Sequence, residues 1–153
     1  MEKSSRYMLV AVGGTFDVFH KGHEMLLKKA FEVGESVVVG LTSDEMLEKD
    51  VKSYSDRKKV LKDFLKENLF QDKCKIIKLD DPYGPAKDDK KMDAIVVSEE
   101  TRYTADKINN LREKKGLVPL NIIVMPLVMA EDGVPISSSR IKKGEIDKEG
   151  KLI

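Results

Sequence analysis

Two histidines three residues apart, His20 and His23, close the segment Gly13-Gly14-Thr15-Phe16-Asp17-Val18-Phe19-His20-Lys21-Gly22-His23, directly after the apolar run Met8–Val12. An apolar strand, a glycine turn and a helix start, in that order, leave backbone N–H groups unpaired at a helix N-terminus, where the helix dipole adds positive potential. Phosphate is the natural ligand of such a junction, and the spacing lets both imidazoles reach one anion. Gly22 between them lets a phosphate approach where a side chain would obstruct it. The segment has neither G-x-G-x-x-G nor G-K-[ST], so it is not a dinucleotide fingerprint or a P-loop. The plain alternative is a glycine turn with two surface histidines; two histidines and three glycines at one turn favour the phosphate site.

Four further segments carry candidate chemistry. Ile136-Ser137-Ser138-Ser139-Arg140-Ile141-Lys142 opens a helix with serine hydroxyls and brings two cations for phosphate. Taken alone it is an ordinary N-cap; it gains weight from the histidine segment. Lys49, Lys52, Arg57, Lys58 and Lys59 form a basic run, of which Lys52, Lys58 and Lys59 read as a solvated face. Pro82-Tyr83-Gly84-Pro85 is a rigid turn that either punctuates a loop or walls a pocket. Ser98-Glu99-Glu100-Thr101 is a helix start with acids suited to the dipole. There is no Ser-His-Asp or Cys-His nucleophile system, and the single cysteine, Cys74, reads as strand filler.

The elements that must position these residues follow from periodicity. Short Val/Ile-rich runs at Tyr7–Val12, Ser36–Leu41, Cys74–Leu79, Ala94–Ser98 and Asn121–Met125 read as five strands. Leu26, Leu27, Ala30, Phe31 and Val33 recur at helical spacing, as do Leu61, Phe64, Leu65 and Leu69. Thr42-Ser43-Asp44-Glu45 reads as a capping box opening a short helix through Leu47, and a helix over Thr101–Lys115 ends at Gly116. Apolar strands alternating with amphipathic helices predict an α/β fold: a single-domain, Rossmann-like, doubly wound parallel sheet of about five strands with helices on both faces. Ligands of such sheets bind beyond the carboxyl ends of the strands, where all the segments above fall.

Composition sets the outer limits. The 153 residues correspond to one domain over 1–153, with 144–153 a polar, loosely held C-terminal tail. Lys plus Arg (28) nearly balance Asp plus Glu (27), so no global field draws nucleic acid or anionic membrane, and any anion site is local. No apolar stretch approaches the ~20 residues of a membrane span, and no secretory signal is legible at the N-terminus. With one cysteine, a cytoplasmic location is expected.

The run Gly14–His23 resembles the G-T-F-D-x-x-H-x-G-H signature of the nucleotidyltransferase superfamily, and Ile136–Lys142 resembles its I-S-S-[ST]-x-[IV]-[RK] element. Leu79-Asp80-Asp81-Pro82-Tyr83-Gly84-Pro85-Ala86 and Val96-Val97-Ser98-Glu99-Glu100-Thr101, followed by Ile108, Asn109 and Arg112, are similar to the archaeal and eukaryotic form of phosphopantetheine adenylyltransferase. This likeness spans about Leu9–Lys142. The bacterial enzymes carry an arginine-bearing segment where this chain has Ser98–Thr101, so arginine contacts of that type do not transfer.

The resemblance implies transfer of AMP from ATP to 4′-phosphopantetheine, giving dephospho-coenzyme A and pyrophosphate in coenzyme A biosynthesis. The acceptor phosphate is already an oxyanion, so direct in-line transfer needs no general base and no covalent intermediate. As catalytic residues it implies His23 on the α-phosphate, His20 on the β- or γ-phosphate and Lys49 between the α-phosphate and the acceptor. Its ATP-binding set is Gly14, Thr15, Phe16, His20, Gly22, His23, Ser98, Glu99, Thr101, Asn109, Ser137, Ser138, Ser139 and Arg140. The acceptor would meet Thr15, Lys49, Arg57, Tyr83 and Gly84, while Asp17 braces the loop. Mg²⁺ would be bound chiefly through the ATP phosphates, with no protein metal ligand. Two alternatives stay open: another nucleotidyltransferase, acting on nicotinamide mononucleotide, FMN or a polyol phosphate, and a non-catalytic nucleotide-binding module.

Overall fold

The five Val/Ile-rich runs pair into one all-parallel sheet of order β3-β2-β1-β4-β5 in the computed structural model, which describes residues 6–48 and 50–153. The strands are β1 (Tyr7–Gly14), β2 (Gly34–Thr42), β3 (Cys74–Leu79), β4 (Ala94–Ser98) and β5 (Asn121–Met125). Val10 of β1 faces Val37 of β2 on one side and Ala94 of β4 on the other, so β1 is central. Strand order reverses between β1 and β4, and a crevice opens there beyond the carboxyl ends.

Parallel strands need crossovers, and these supply the layers on both faces. Helices α1 (Lys21–Val33) and α2 (Tyr54–Glu67) pack Leu27, Ala30, Phe31, Leu61, Phe64 and Leu65 against Val10, Val12, Val37 and Val39. On the opposite face α3 (Arg102–Lys114) and a 3₁₀ turn at Gly84–Lys87 pack Ala105, Ile108 and Ala86 against Ala11, Ile95 and Val97. Each fully buried Leu or Phe contributes roughly 1.5–3 kcal/mol. Among the described residues no helix is long and apolar enough to cross a membrane.

Two local expectations are corrected. Thr42 does not cap a helix: it remains in β2, and only a 3₁₀ turn, Asp44–Met46, follows, with Ser43 at its N-cap position and no side-chain cap bond. The Thr42 hydroxyl is already committed, donating to Thr15 Oγ1 at 3.2 Å and accepting from Arg57 at 3.3 Å. Nor does the polar tail hang loosely. Ile146 is fully buried with Ala130 and Ile136, Glu131 N donates to Gly150 O at 2.9 Å, and Leu152 N donates to Glu131 Oε1 at 2.7 Å. Gly150 (φ +87°) permits that approach, since a Cβ there would lie 3.0 Å from Ala130 Cα.

Candidate active site

Helix α1 begins at the two histidines, which occupy the positions that Ser and Glu take in an ordinary capping box. His20 is the N-cap, and its Nδ1 accepts from Gly22 N at 3.1 Å; His23 Nδ1 accepts from His20 N at 3.2 Å. A neutral imidazole that accepts at Nδ1 carries its proton on Nε2. Both rings therefore present an N–H donor on the edge away from the backbone. They stack at 3.8 Å, and His23 packs edge-on against Phe16 at 5.0 Å. Phe16 itself sits at φ +50°, a strained left-handed conformation for a bulky residue, held by burial of its ring.

The backbone amides expected to meet phosphate are largely used by the protein. Lys21 N donates to Lys148 O at 3.0 Å, and the Gly22 and His20 amides go to the imidazoles. The positive end of α1 thus reaches the site through the rings rather than through bare amides. Gly22 likewise makes room for a ring: a Cβ there would lie 2.9 Å from His20 Cε1. Burial lowers His20 to a pKa of about 4. His23 falls to about 3 through burial and repulsion by His20, partly offset by Asp17. Both are neutral donors at neutral pH.

The C-terminal serine segment docks directly on this loop. In α4 (Ser138–Lys142) the Ser138 hydroxyl accepts from Val18 N at 3.3 Å and donates to Val18 O at 3.2 Å. Lys142 forms an ion pair with Asp17 and donates to Asp50 O at 3.1 Å. Asp17 also accepts from Lys52 N at 2.9 Å. Burial pushes the Asp17 carboxyl up, but Lys142 and the Lys52 amide pull it down further, leaving it below the ordinary carboxylate range. Asp17 therefore braces three segments at once.

Two clefts meet over this framework. One, of about 290 Å³, is lined by Gly14, Thr15, Phe16, His20, Gly22, His23, Ser98, Glu100, Thr101, Ser137 and Ser138, with Pro126–Val128 from the loop after β5. The other, of about 300 Å³, is mostly apolar, with Val38, Met46, Ile77, Leu79, Tyr83, Pro85 and Ile108 around it. Gly13, Gly14, Thr15 and Thr101 line both. Asp81 shapes the Tyr83 wall by accepting from Tyr83 N and Gly84 N at 2.8 and 2.7 Å and from Lys87 at 3.0 Å.

Several expected contacts lie elsewhere. Arg57 is buried and spends its guanidinium on Lys52 O, Thr15 O, Thr42 Oγ1 and Asp44 Oδ1, so it does not project toward an acceptor phosphate. The Arg140 guanidinium is held by Asp132, Glu145 and the Val134 and Pro135 carbonyls, and it is the backbone N–H of Arg140 that meets a serine of the run, donating to Ser137 Oγ at 3.2 Å. Asn109 makes a two-way bond with the Leu120 backbone at 2.7 and 3.0 Å, pinning α3 to the loop before β5. Glu99 accepts from Leu127 N at 3.3 Å, and its neighbour Glu100 lines the cleft instead. Ser139 and Gly84 line neither cleft; Gly84 builds the turn behind Tyr83. Lys49 lies outside the described residues. Sequence reasoning missed Lys148, which bears no motif, gave Thr42 only a capping role, and named no residue among Pro126–Val128 in the loop after β5.

Comparison with known proteins places this geometry. The family model for cytidylyltransferase-like proteins matches residues 11–144. The chain is 52% identical to the phosphopantetheine adenylyltransferase of Methanosarcina barkeri, over 94% of this chain and 91% of that protein. It is 47% identical to the enzyme of the same name from Methanothermobacter thermautotrophicus, over 97% and 91%. Among solved structures, a protein of unknown function from Archaeoglobus fulgidus superposes with a TM-score of 0.70 at 33% identity, covering 77% of this chain and 89% of that one. Tyrosyl-tRNA synthetase of the same organism shares the fold, with a TM-score of 0.62 at 14% identity, over 90% of this chain and 60% of that one.

Proposed function

The chain belongs to the cytidylyltransferase-like family, and from that membership we propose that it transfers the adenylyl group of ATP to 4′-phosphopantetheine, releasing pyrophosphate and forming dephospho-coenzyme A. The observation that carries this reading is the pair of imidazoles with Nδ1 tied to amides, in a polar cleft that adjoins an apolar one at Thr15. Relatives at about 50% identity over most of the chain, all named for this activity, support the choice of acceptor.

An acceptor phosphate oxygen forms a bond to the α-phosphorus while the bond from that phosphorus to the pyrophosphate oxygen breaks. Negative charge grows on the α-phosphate oxygens and on the leaving group. His23 Nε2–H donates to the α-phosphate, and His20 Nε2–H to the β- or γ-phosphate. Neutral donors fixed before substrate arrives need no reorganisation as that charge develops. Phosphates occupy the histidine cleft with Ser137 beside them, the adenine rests near Ser98–Thr101, and the pantetheine arm lies along Tyr83 in the apolar cleft. Lys49 is assigned to the acceptor phosphate on the family likeness alone.

Mg²⁺, when bound, would be carried on the ATP phosphates. Among the described residues no three His, Cys, Asp or Glu side chains converge on a metal cage, and Asp17 is occupied by Lys142 and Lys52. That donor set suits an ion held by phosphate oxygens and water, where it neutralises charge on the triphosphate. The balanced surface charge argues for small-molecule substrates and against a nucleic-acid partner. A lone cysteine agrees with a cytoplasmic, reducing setting.

The test offers Mg-ATP or Mg-CTP with phosphopantetheine, nicotinamide mononucleotide, FMN and glycerol 3-phosphate as acceptors, reading pyrophosphate and product mass. Dephospho-coenzyme A is expected from ATP and phosphopantetheine. Silence with that pair alongside turnover of another acceptor overturns the reading.

A further inference from the structure

Arg57 is fully buried at the side chain, yet among the described residues its only carboxylate contact is Asp44, at 3.1 Å from Nη2. Its Nη1 donates to Thr15 O at 3.0 Å and to Thr42 Oγ1 at 3.3 Å. Thr42 Oγ1 in turn donates to Thr15 Oγ1 at 3.2 Å. A guanidinium has no acceptor, so the Thr42 oxygen receives from it, and the geometry has the same hydroxyl donating its hydrogen to Thr15 Oγ1. With a lone pair of Thr15 Oγ1 taken, its own hydrogen is left to point elsewhere. Thr15 stands where the polar and the apolar cleft meet.

Without the arginine, the two hydroxyls could run in either direction, and half of the arrangements would turn a lone pair of Thr15 toward an incoming phosphate. The positive charge beside Thr42 favours the other half, in which the Thr42 hydrogen points away from the guanidinium and toward Thr15. It also polarises the chain, since hydrogen bonds in series strengthen one another in a low-dielectric interior. The same Nη1 holds the Thr15 carbonyl, so the backbone and hydroxyl of this residue share one reference point.

We infer that Thr42 and Arg57 are positioning residues for adenylyl transfer: the Arg57–Thr42 relay orients the Thr15 hydroxyl as a donor to a phosphate oxygen at the junction of the two clefts. Arg57 thereby serves the phosphates without touching them. The inference rests on the adenylyl-transfer reading above.

Thr42→Val keeps the shape and removes the relay, Thr42→Ser keeps the hydroxyl, and Thr15→Val removes the terminal donor. Each is measured for kcat and for KM of both substrates by dephospho-coenzyme A formation, with the thermal midpoint as a check on folding. Thr42→Val is expected to lower kcat about tenfold with little change in either KM, the scale of one lost hydrogen bond. Thr42→Ser is expected within about twofold of wild type, and Thr42→Val in a Thr15→Val background to cost little more, because coupled residues are non-additive. If Thr42→Val does not fold, Thr42→Ala carries the same cycle. Wild-type kcat in the Thr42 variant, or losses that multiply in the double variant, overturns the inference. A wild-type chain that forms no dephospho-coenzyme A overturns the functional reading instead, and this inference with it.

Discussion

The imidazoles of His20 and His23 stack at 3.8 Å with planes 23° apart, and each turns Nδ1 to a main-chain amide. Capping the helix and fixing the ring protons are thus one arrangement: the bonds that start α1 also assign the protons to Nε2. Stacking two charged imidazoles at that distance would be unfavourable, and burial keeps both neutral.

Removing one preorganised donor sets the size of the catalytic loss. His23→Ala is expected to lower kcat by roughly 10²–10³-fold with a smaller effect on ATP affinity. Single-turnover rates beside equilibrium ATP binding measure the two separately. Near-normal turnover would remove His23 from the chemistry.

The buried pair also makes folding pH-dependent. His20 near 4 and His23 near 3 lie below the 6.5 of a free imidazole, so below 6.5 the unfolded chain takes up protons that the folded chain refuses. Their effect on stability is absent above 6.5, grows as the pH falls through that value, and levels off beneath the folded pKa values. Between about pH 7 and about pH 5, where carboxylates titrate little, a His20→Asn/His23→Asn variant is expected to lose less stability than wild type in denaturant melts. Parallel losses in the two proteins would contradict the depressed pKa values.

Gly22→Ala tests the packing of the rings. A methyl 2.9 Å from His20 Cε1 must displace that ring, and the ring is held on its other side by His23. Alanine suits the second position of a helix, so the fold is expected to persist while kcat falls by about tenfold or more, as for a misplaced donor. Circular dichroism with steady-state kinetics separates these effects, and full activity would show that His20 tolerates the shift.

Lys142→Met probes the brace between the C-terminal segment and the histidine loop. Among the described residues the substitution leaves a nearly buried Asp17 with only the Lys52 amide, a loss of about 1–3 kcal/mol. The expected results are a lower melting midpoint, a higher KM for ATP, and faster amide exchange in α4 than in β1. Unchanged exchange in α4 would show that the Lys142–Asp17 pair is not what holds the segment.

Much of this was legible along the chain. The strands β3, β4 and β5 fall where their apolar runs lie: β4 is buried almost throughout, while the edge strands β3 and β5 keep their Ile and Val residues half-buried and Lys75 and Lys78 of β3 face out. The histidine and serine segments could be paired because together, in chain order, they resemble the two elements of the nucleotidyltransferase signature. Illegible was the occupancy of polar groups. Arg57, Arg140 and Asn109 have the chemistry of ligand contacts, yet each is consumed by carbonyls or acids brought in by folding. Lys148 could not be read as a cap for α1, since its carbonyl acts from a tail distant in sequence.

The sequence by itself determined the alternation of strand and helix, the parallel sheet and the residue types at its carboxyl edge, because periodicity and turn chemistry are local properties. Tertiary structure decided which donors remain for phosphate. Hydrogen-bond capacity is finite, and which neighbours exhaust it depends on contacts between segments far apart in the chain: Lys142 on Asp17, Ser138 on Val18, Arg57 on Thr15. Those contacts leave His20 and His23 lining the cleft and tie Arg57 and Arg140 to the protein's own carbonyls and carboxylates.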